Sequence, residues 1–123
     1  MKITDFRPES DKNPVWRVEF DQFTWANGET GALTKDILIN GKVGVIIGKT
    51  NNSTNAITYT TTIYDEDSYE LYTKADWAEN ATEVVTLTAD TKVLLPPGSK
   101  VTITPSGDPG TSGGTFDLTF IGE

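Results

Sequence analysis

Ile37-Leu38-Ile39-Asn40-Gly41-Lys42-Val43-Gly44-Val45-Ile46-Ile47 reads as two apolar runs joined by Asn-Gly. Both central residues of a type I′ turn need positive φ, and Asn-Gly adopts it at low cost, so the stretch predicts a β-hairpin. A two-residue loop would put Ile37 and Ile39 on the face that carries Val43, Val45 and Ile47. Gly44 interrupts the second run and marks a bulge or a close backbone approach. The branching of Val and Ile at Cβ favours extended backbone throughout.

The same signals recur on both sides. Upstream, residues 15–20 alternate, with Trp16, Val18 and Phe20 on one face and Arg17 and Glu19 on the other, the pattern of a half-buried antiparallel strand. Phe23, Thr24 and Trp25 extend it past a kink, and Asn27-Gly28 supplies a turn. Downstream of a polar loop at 51–55, residues 56–64 place Ile57, Tyr59, Thr61 and Ile63 on one side and Thr58, Thr60 and Thr62 on the other. Asp65-Glu66-Asp67-Ser68 reads as an acidic turn, with Tyr69, Leu71 and Thr73 returning as a short strand. Residues 74–80 hold the one helical turn expected, because Ala75, Trp77 and Ala78 follow no period of two. Residues 82–88, 91–95, 100–104 and 115–121 are strand-like, and Phe116, Leu118 and Phe120 share a face. Pro96-Pro97-Gly98, residues 105–110 and Gly113-Gly114 break them.

These patterns predict an all-β fold, a small antiparallel β-sandwich or jelly-roll-like barrel of about eight short strands. Residues 15–122 form the single β-sandwich domain, and residues 1–14, with Pro8 and Pro14 among charged and polar neighbours, form an N-terminal arm. A doubly wound α/β fold is excluded, since its strands would be apolar on both faces.

The 123 residues include neither His nor Cys and carry a formal net charge of -8. The ordinary Ser-His-Asp triad, a catalytic thiolate, a Cys/His zinc site and a disulfide are thereby excluded. Phosphate-tracking nucleic-acid binding and attachment to anionic membranes both need clustered Lys and Arg, which the chain lacks. The first ten residues have no apolar core of a signal peptide, and residues 43–47 are far too short to span a membrane. Three Asn-X-Ser/Thr triplets, starting at Asn51, Asn52 and Asn80, are read as polar loops.

Among candidate sites, Asp65 and Asp67 are the metal ligands to consider, with Glu66 and Glu70 nearby. The glycine a calcium loop requires at its sixth position is replaced by Glu70, so the segment is read as a solvated acidic turn. Asp65, Asp67, Asp76 and Glu79 could in principle supply paired carboxylates for sugar hydrolysis, but nothing points to a buried acid among them. The glycines form no nucleotide loop. No catalytic residue and no cofactor is therefore assigned. Trp16 belongs to an inward face and is read as core. Trp25 and Trp77 lie beside polar segments and are expected to be partly exposed, as sugar-stacking surfaces or interface anchors. Tyr59, Tyr64, Tyr69 and Tyr72 cluster around one hairpin; Tyr69 and Tyr72 join Trp25 and Trp77 as candidate interface residues.

The segment Tyr69-Glu70-Leu71-Tyr72 through Ala78-Glu79-Asn80-Ala81-Thr82, followed by Leu94-Leu95-Pro96-Pro97-Gly98-Ser99-Lys100-Val101-Thr102-Ile103-Thr104-Pro105-Ser106-Gly107-Asp108-Pro109-Gly110, resembles small proteins encoded near the capsid genes of tailed bacteriophages. Those are similar to head decoration or cement proteins, and the likeness spans residues 57–121. The resemblance implies a non-enzymatic virion structural protein, made in the host cytoplasm and placed on the capsid surface. It implies the major capsid protein as partner, bridging of capsid subunits, and a homo-oligomer with a trimer favoured, without nucleic acid or membrane. The arm, residues 2–14, would touch the capsid or a neighbouring subunit. A tail or head-tail connector component and a carbohydrate-binding module are the alternatives, the latter resting on Trp25, Trp77 and the tyrosines.

Overall fold

Residues 1–5 and 15–123 are described by a computed structural model, and eleven strands form among them. They are β1 (Lys2–Asp5), β2 (Trp16–Glu19), β3 (Phe23–Trp25), β4 (Leu33–Asp36), β5 (Gly41–Thr50), β6 (Thr58–Tyr64), β7 (Glu70–Ala78), β8 (Thr82–Thr86), β9 (Val93–Leu95), β10 (Lys100–Pro105) and β11 (Gly114–Gly122). One sheet runs β1-β2-β11-β5-β8, with β3 also on β11 and β9 also on β5; the other runs β4-β10-β6-β7. All pairings are antiparallel. The fold is the expected all-β antiparallel sandwich, with more strands than the eight anticipated: β1 forms within the expected arm and β4 ahead of the apolar run at 37–39.

Alternation places the core. Trp16, Val18, Ile46, Phe116, Leu118 and Phe120 of the first sheet meet Tyr59, Ile63, Val101 and Ile103 of the second, all essentially inaccessible. Burying a side chain of this size stabilises by about 1.5–3 kcal/mol, so these two inner faces dominate the folding free energy. The outward residues of β11, from Thr115 to Ile121, stay half-buried as the pattern requires.

Two local expectations are overturned. Asn40-Gly41 does not close a hairpin: β4 lies in the second sheet, β5 in the first, and residues 37–40 cross between them. Ile37 donates its N–H to the Ser99 carbonyl at 2.9 Å, while Lys42 exchanges hydrogen bonds with Glu123. Positive φ at Gly41, 135°, serves the crossing as well as it would serve a turn. Ile37 and Ile39 are buried because the crossing runs under the core's end. Residues 74–78 are not helical but continue β7. Between Tyr59↔Trp77 and Thr61↔Lys74 one extra residue is inserted, with Asp76 at φ 61°, and this bulge destroys the period of two.

Gly44 is indeed the unopposed residue of a bulge, since Val43 pairs with Gly122 and Val45 with Ile121. Of the expected arm, residues 2–5 form β1 along β2, and residues 6–14 lie outside the described residues.

Candidate functional site

At one end of the sandwich three connections meet: the crossing at residues 37–40, the turn at 96–99, and the acidic turn at 65–68. Ser99 ties its own turn by donating its hydroxyl to the Pro96 carbonyl at 2.6 Å, and its carbonyl holds Ile37. Gly98 has φ +87°, and a Cβ there would come within 2.9 Å of a Glu66 carboxylate oxygen, so the acidic turn lies directly over it. Between crossing and turn runs a groove of about 430 Å³, walled by Ile37, Leu38 and Ile39 on one side and Pro97 and Gly98 on the other. Ile37 and Ile39 face inward; Leu38, between them, is 69% exposed. Asp36 lines the groove, and Glu66 lies against Gly98 of its wall.

Asp65, a candidate metal ligand, spends one carboxylate oxygen on the turn itself, accepting from the N–H groups of Asp67 at 2.9 Å and Tyr69 at 2.8 Å. Among the described residues no group of three or more carboxylates forms a metal cage. Glu79 accepts from the Ser53 N–H at 3.0 Å and Asp76 occupies the β7 bulge, so each has a local structural task.

Beside the groove, the outward face of the second sheet carries a register row Asp36–Lys100–Tyr64–Glu70. The next row is all threonine: Thr34, Thr102, Thr62 and Thr73, with hydroxyl contacts of 2.7 Å at Thr34–Thr102 and 3.3 Å at Thr62–Thr73. A pocket of about 190 Å³ opens between the rows, lined by Tyr64, Ser68, Lys100 and the Thr34–Thr102 pair.

The expected exposure of Trp25 and Trp77 is overturned. They are 2% and 1% exposed. Trp25 donates its indole N–H to the Gly31 carbonyl at 2.7 Å and lies 5.3 Å from Tyr59, while Trp77 packs edge-on against Phe116 at 5.5 Å. The β7 bulge turns Trp77 inward, and the loop after β3 folds back to satisfy Trp25. Tyr72 also faces inward, opposite Ile63, and burial pushes its hydroxyl pKa up. Of the four candidate interface residues only Tyr69 stands clear, 74% exposed after the acidic turn. The residues missed from sequence are Leu38 and Pro97. The signal available was the parity of Ile37-Leu38-Ile39, which leaves the middle residue outward if only the flanking pair is buried.

At the opposite end, Asp108 accepts from the N–H groups of Gly110 and Gly28, both at 2.8 Å, and these bonds hold its carboxyl below the ordinary range. Asp21, bonded to the N-terminal amine, and Glu123, bonded to Lys92, are lowered likewise. A carboxyl with a depressed folded pKa adds stability that is complete above its unfolded value and is lost as pH falls through the folded value. Thermal melts should therefore begin to drop once acidification passes below about pH 4, the unfolded carboxylate value. Asp108→Asn, which keeps an acceptor but cannot titrate, should flatten that slope.

No protein-family model and no curated protein matches the sequence. Solved structures do match in fold. The subviral particle protein VP2 of infectious bursal disease virus aligns with a TM-score of 0.51 at 17% identity, covering 91% of this chain and 33% of that one. A low-affinity xylan-binding module from Roseburia intestinalis aligns at 0.47 and 10% identity, covering 97% and 92%. The CBM32 module of AlyQ, solved with 4,5-unsaturated mannuronic acid, aligns at 0.46 and 16%, covering 97% and 92%. The chain spans about a third of the length of the viral proteins it matches.

Proposed function

We propose that the chain is a non-enzymatic virion structural protein that decorates a capsid shell, gripping a segment of the major capsid protein in the groove at the sandwich end. The groove carries this reading: Leu38 and Pro97 offer apolar contact, while Asp36 and Glu66 select a segment with Lys or Arg beside its apolar anchor. A protein of net charge -8 is steered toward basic surface patches, and Glu66 of the acidic turn adjoins the groove at Gly98. Bridging follows when one copy contacts two adjacent shell subunits, adding interface area without chemistry.

Co-sedimentation with purified heads of the encoding phage tests it. Leu38→Asp should reduce occupancy by about tenfold, the loss expected for one anchor at an interface. Asp36→Asn should weaken attachment more at low salt than at high salt. Attachment equal to wild type for Leu38→Asp, or no attachment of the wild-type chain, would refute the assignment.

A saccharide ligand is the second reading, favoured by the 190 Å³ pocket in which Tyr64 adjoins Lys100 and three hydroxyl side chains. Binding on a glycan array that Tyr64→Ala abolishes would establish it in place of the shell.

A further inference from the structure

The outward side of the first sheet departs from the usual solvated pattern. Antiparallel sheets facing water carry polar residues there, and the second sheet does so with its threonines. On the first sheet, Val84 of β8 stands opposite Ile47 of β5, and Val45 of β5 opposite Ile121 of β11, so three neighbouring strands present branched apolar side chains together. Val84 is 60% exposed. Val15 extends the patch into a shallow groove of about 280 Å³ shared with Val45 and Ile121, with the paired Lys92 and Glu123 at its side.

Charge says what covers it. The outward rows flanking the patch carry Lys2, Arg17 and Lys49 against Glu19 and Asp117, a nearly balanced set with cations in slight excess. The second sheet and the tip carry Asp36, Asp65, Glu66, Asp67 and Glu70 around Lys100. Two copies of a chain of net charge -8 repel through those acidic surfaces, and the first sheet's outer face is where they can meet without opposing acid to acid. The opposed Lys49 and Asp117 also give the rim both signs, which a two-fold contact between identical faces needs.

We infer that this face is the contact between two copies of the chain, packed sheet on sheet about a two-fold axis at the usual spacing of about 10 Å. Five strands at about 4.8 Å spacing span about 20 Å. So narrow a face belongs at the small end of specific interfaces, about 1,000 Å² in total, where association is weak and reversible. A two-fold pair differs from the trimer that the phage resemblance implies. It turns both acidic tips outward, free for the partner argued above, and it stands independently of that partner.

Sedimentation equilibrium of the intact chain from about 1 to 100 μM, bracketing the micromolar range, is the test. The weight-average mass should rise from 13.4 kDa toward twice that value. Val84→Lys, which puts a charge in place of the most exposed apolar side chain of the patch, should raise the dissociation constant at least about tenfold, and Leu38→Asp, on the far tip, should leave it unchanged. If circular dichroism finds Val84→Lys misfolded, Val84→Ser removes apolar area without adding charge and should still weaken the pair. A monomer at every concentration overturns the inference, as does a dimer or trimer that neither Val84 substitution disturbs.

Discussion

Trp77→Ala should lower folding stability by about 3–5 kcal/mol, read as a shift of the denaturant midpoint at unchanged slope. The indole is 1% exposed, meets Phe116 edge-on at 5.5 Å, and carries the Lys74 ammonium 4.7 Å from its ring centre. Removing it deletes that transfer energy and leaves a cavity beside Phe116, whose contact with Tyr59 at 5.5 Å restrains its ring from filling the gap. The measurement separates two roles cleanly. An interface anchor on the surface would lose partner binding and leave the denaturation curve in place; a core residue moves the curve. A midpoint shift under about 1 kcal/mol would contradict the core assignment, since surface substitutions usually stay within that range.

Gly48→Ala tests the same region from the opposite sheet, by adding volume instead of removing it. A Cβ at Gly48 would come within 2.7 Å of the Trp77 ring and 2.8 Å of the Phe116 ring. These rings are held at 86° to each other, so neither retreats without displacing the other. Overpacking of this kind costs about 1–3 kcal/mol. Because Gly48 and Trp77 touch one site, the double variant Gly48→Ala with Trp77→Ala should cost clearly less than the sum of the two. Strict additivity in that cycle would mean the added methyl finds room elsewhere.

The strands were legible wherever burial alternated without interruption. Trp16, Val18 and Phe20, and again Phe116, Leu118 and Phe120, announce one buried face each, and both lie where expected. What escaped was partner choice. Asn40-Gly41 states only that the backbone turns with positive φ; it does not say whether the chain returns along itself or passes to the facing sheet. Trp77 was misplaced because one inserted residue at the β7 bulge shifted it from the outward to the inward parity. Trp25 was misplaced because its polar neighbours belong to a loop that folds over it, with Gly31 accepting its N–H. The groove was the least legible feature, since Leu38 and Pro97 are distant in sequence and meet only through the pairing of β4 with β10.

The place of β11 in its sheet has a consequence for how the protein is made. This strand joins β2 and β3 to β5, so the first sheet has no middle until residue 122 has left the ribosome. Synthesis therefore delivers β1 with β2, and β5 with β8 and β9, as separate pieces before the strand that joins them arrives, and completion of this sheet must wait for it. Non-local sheets of this kind form over milliseconds to seconds, and throughout that delay the nascent strands depend on dilution or chaperones to keep them from pairing with the wrong neighbours.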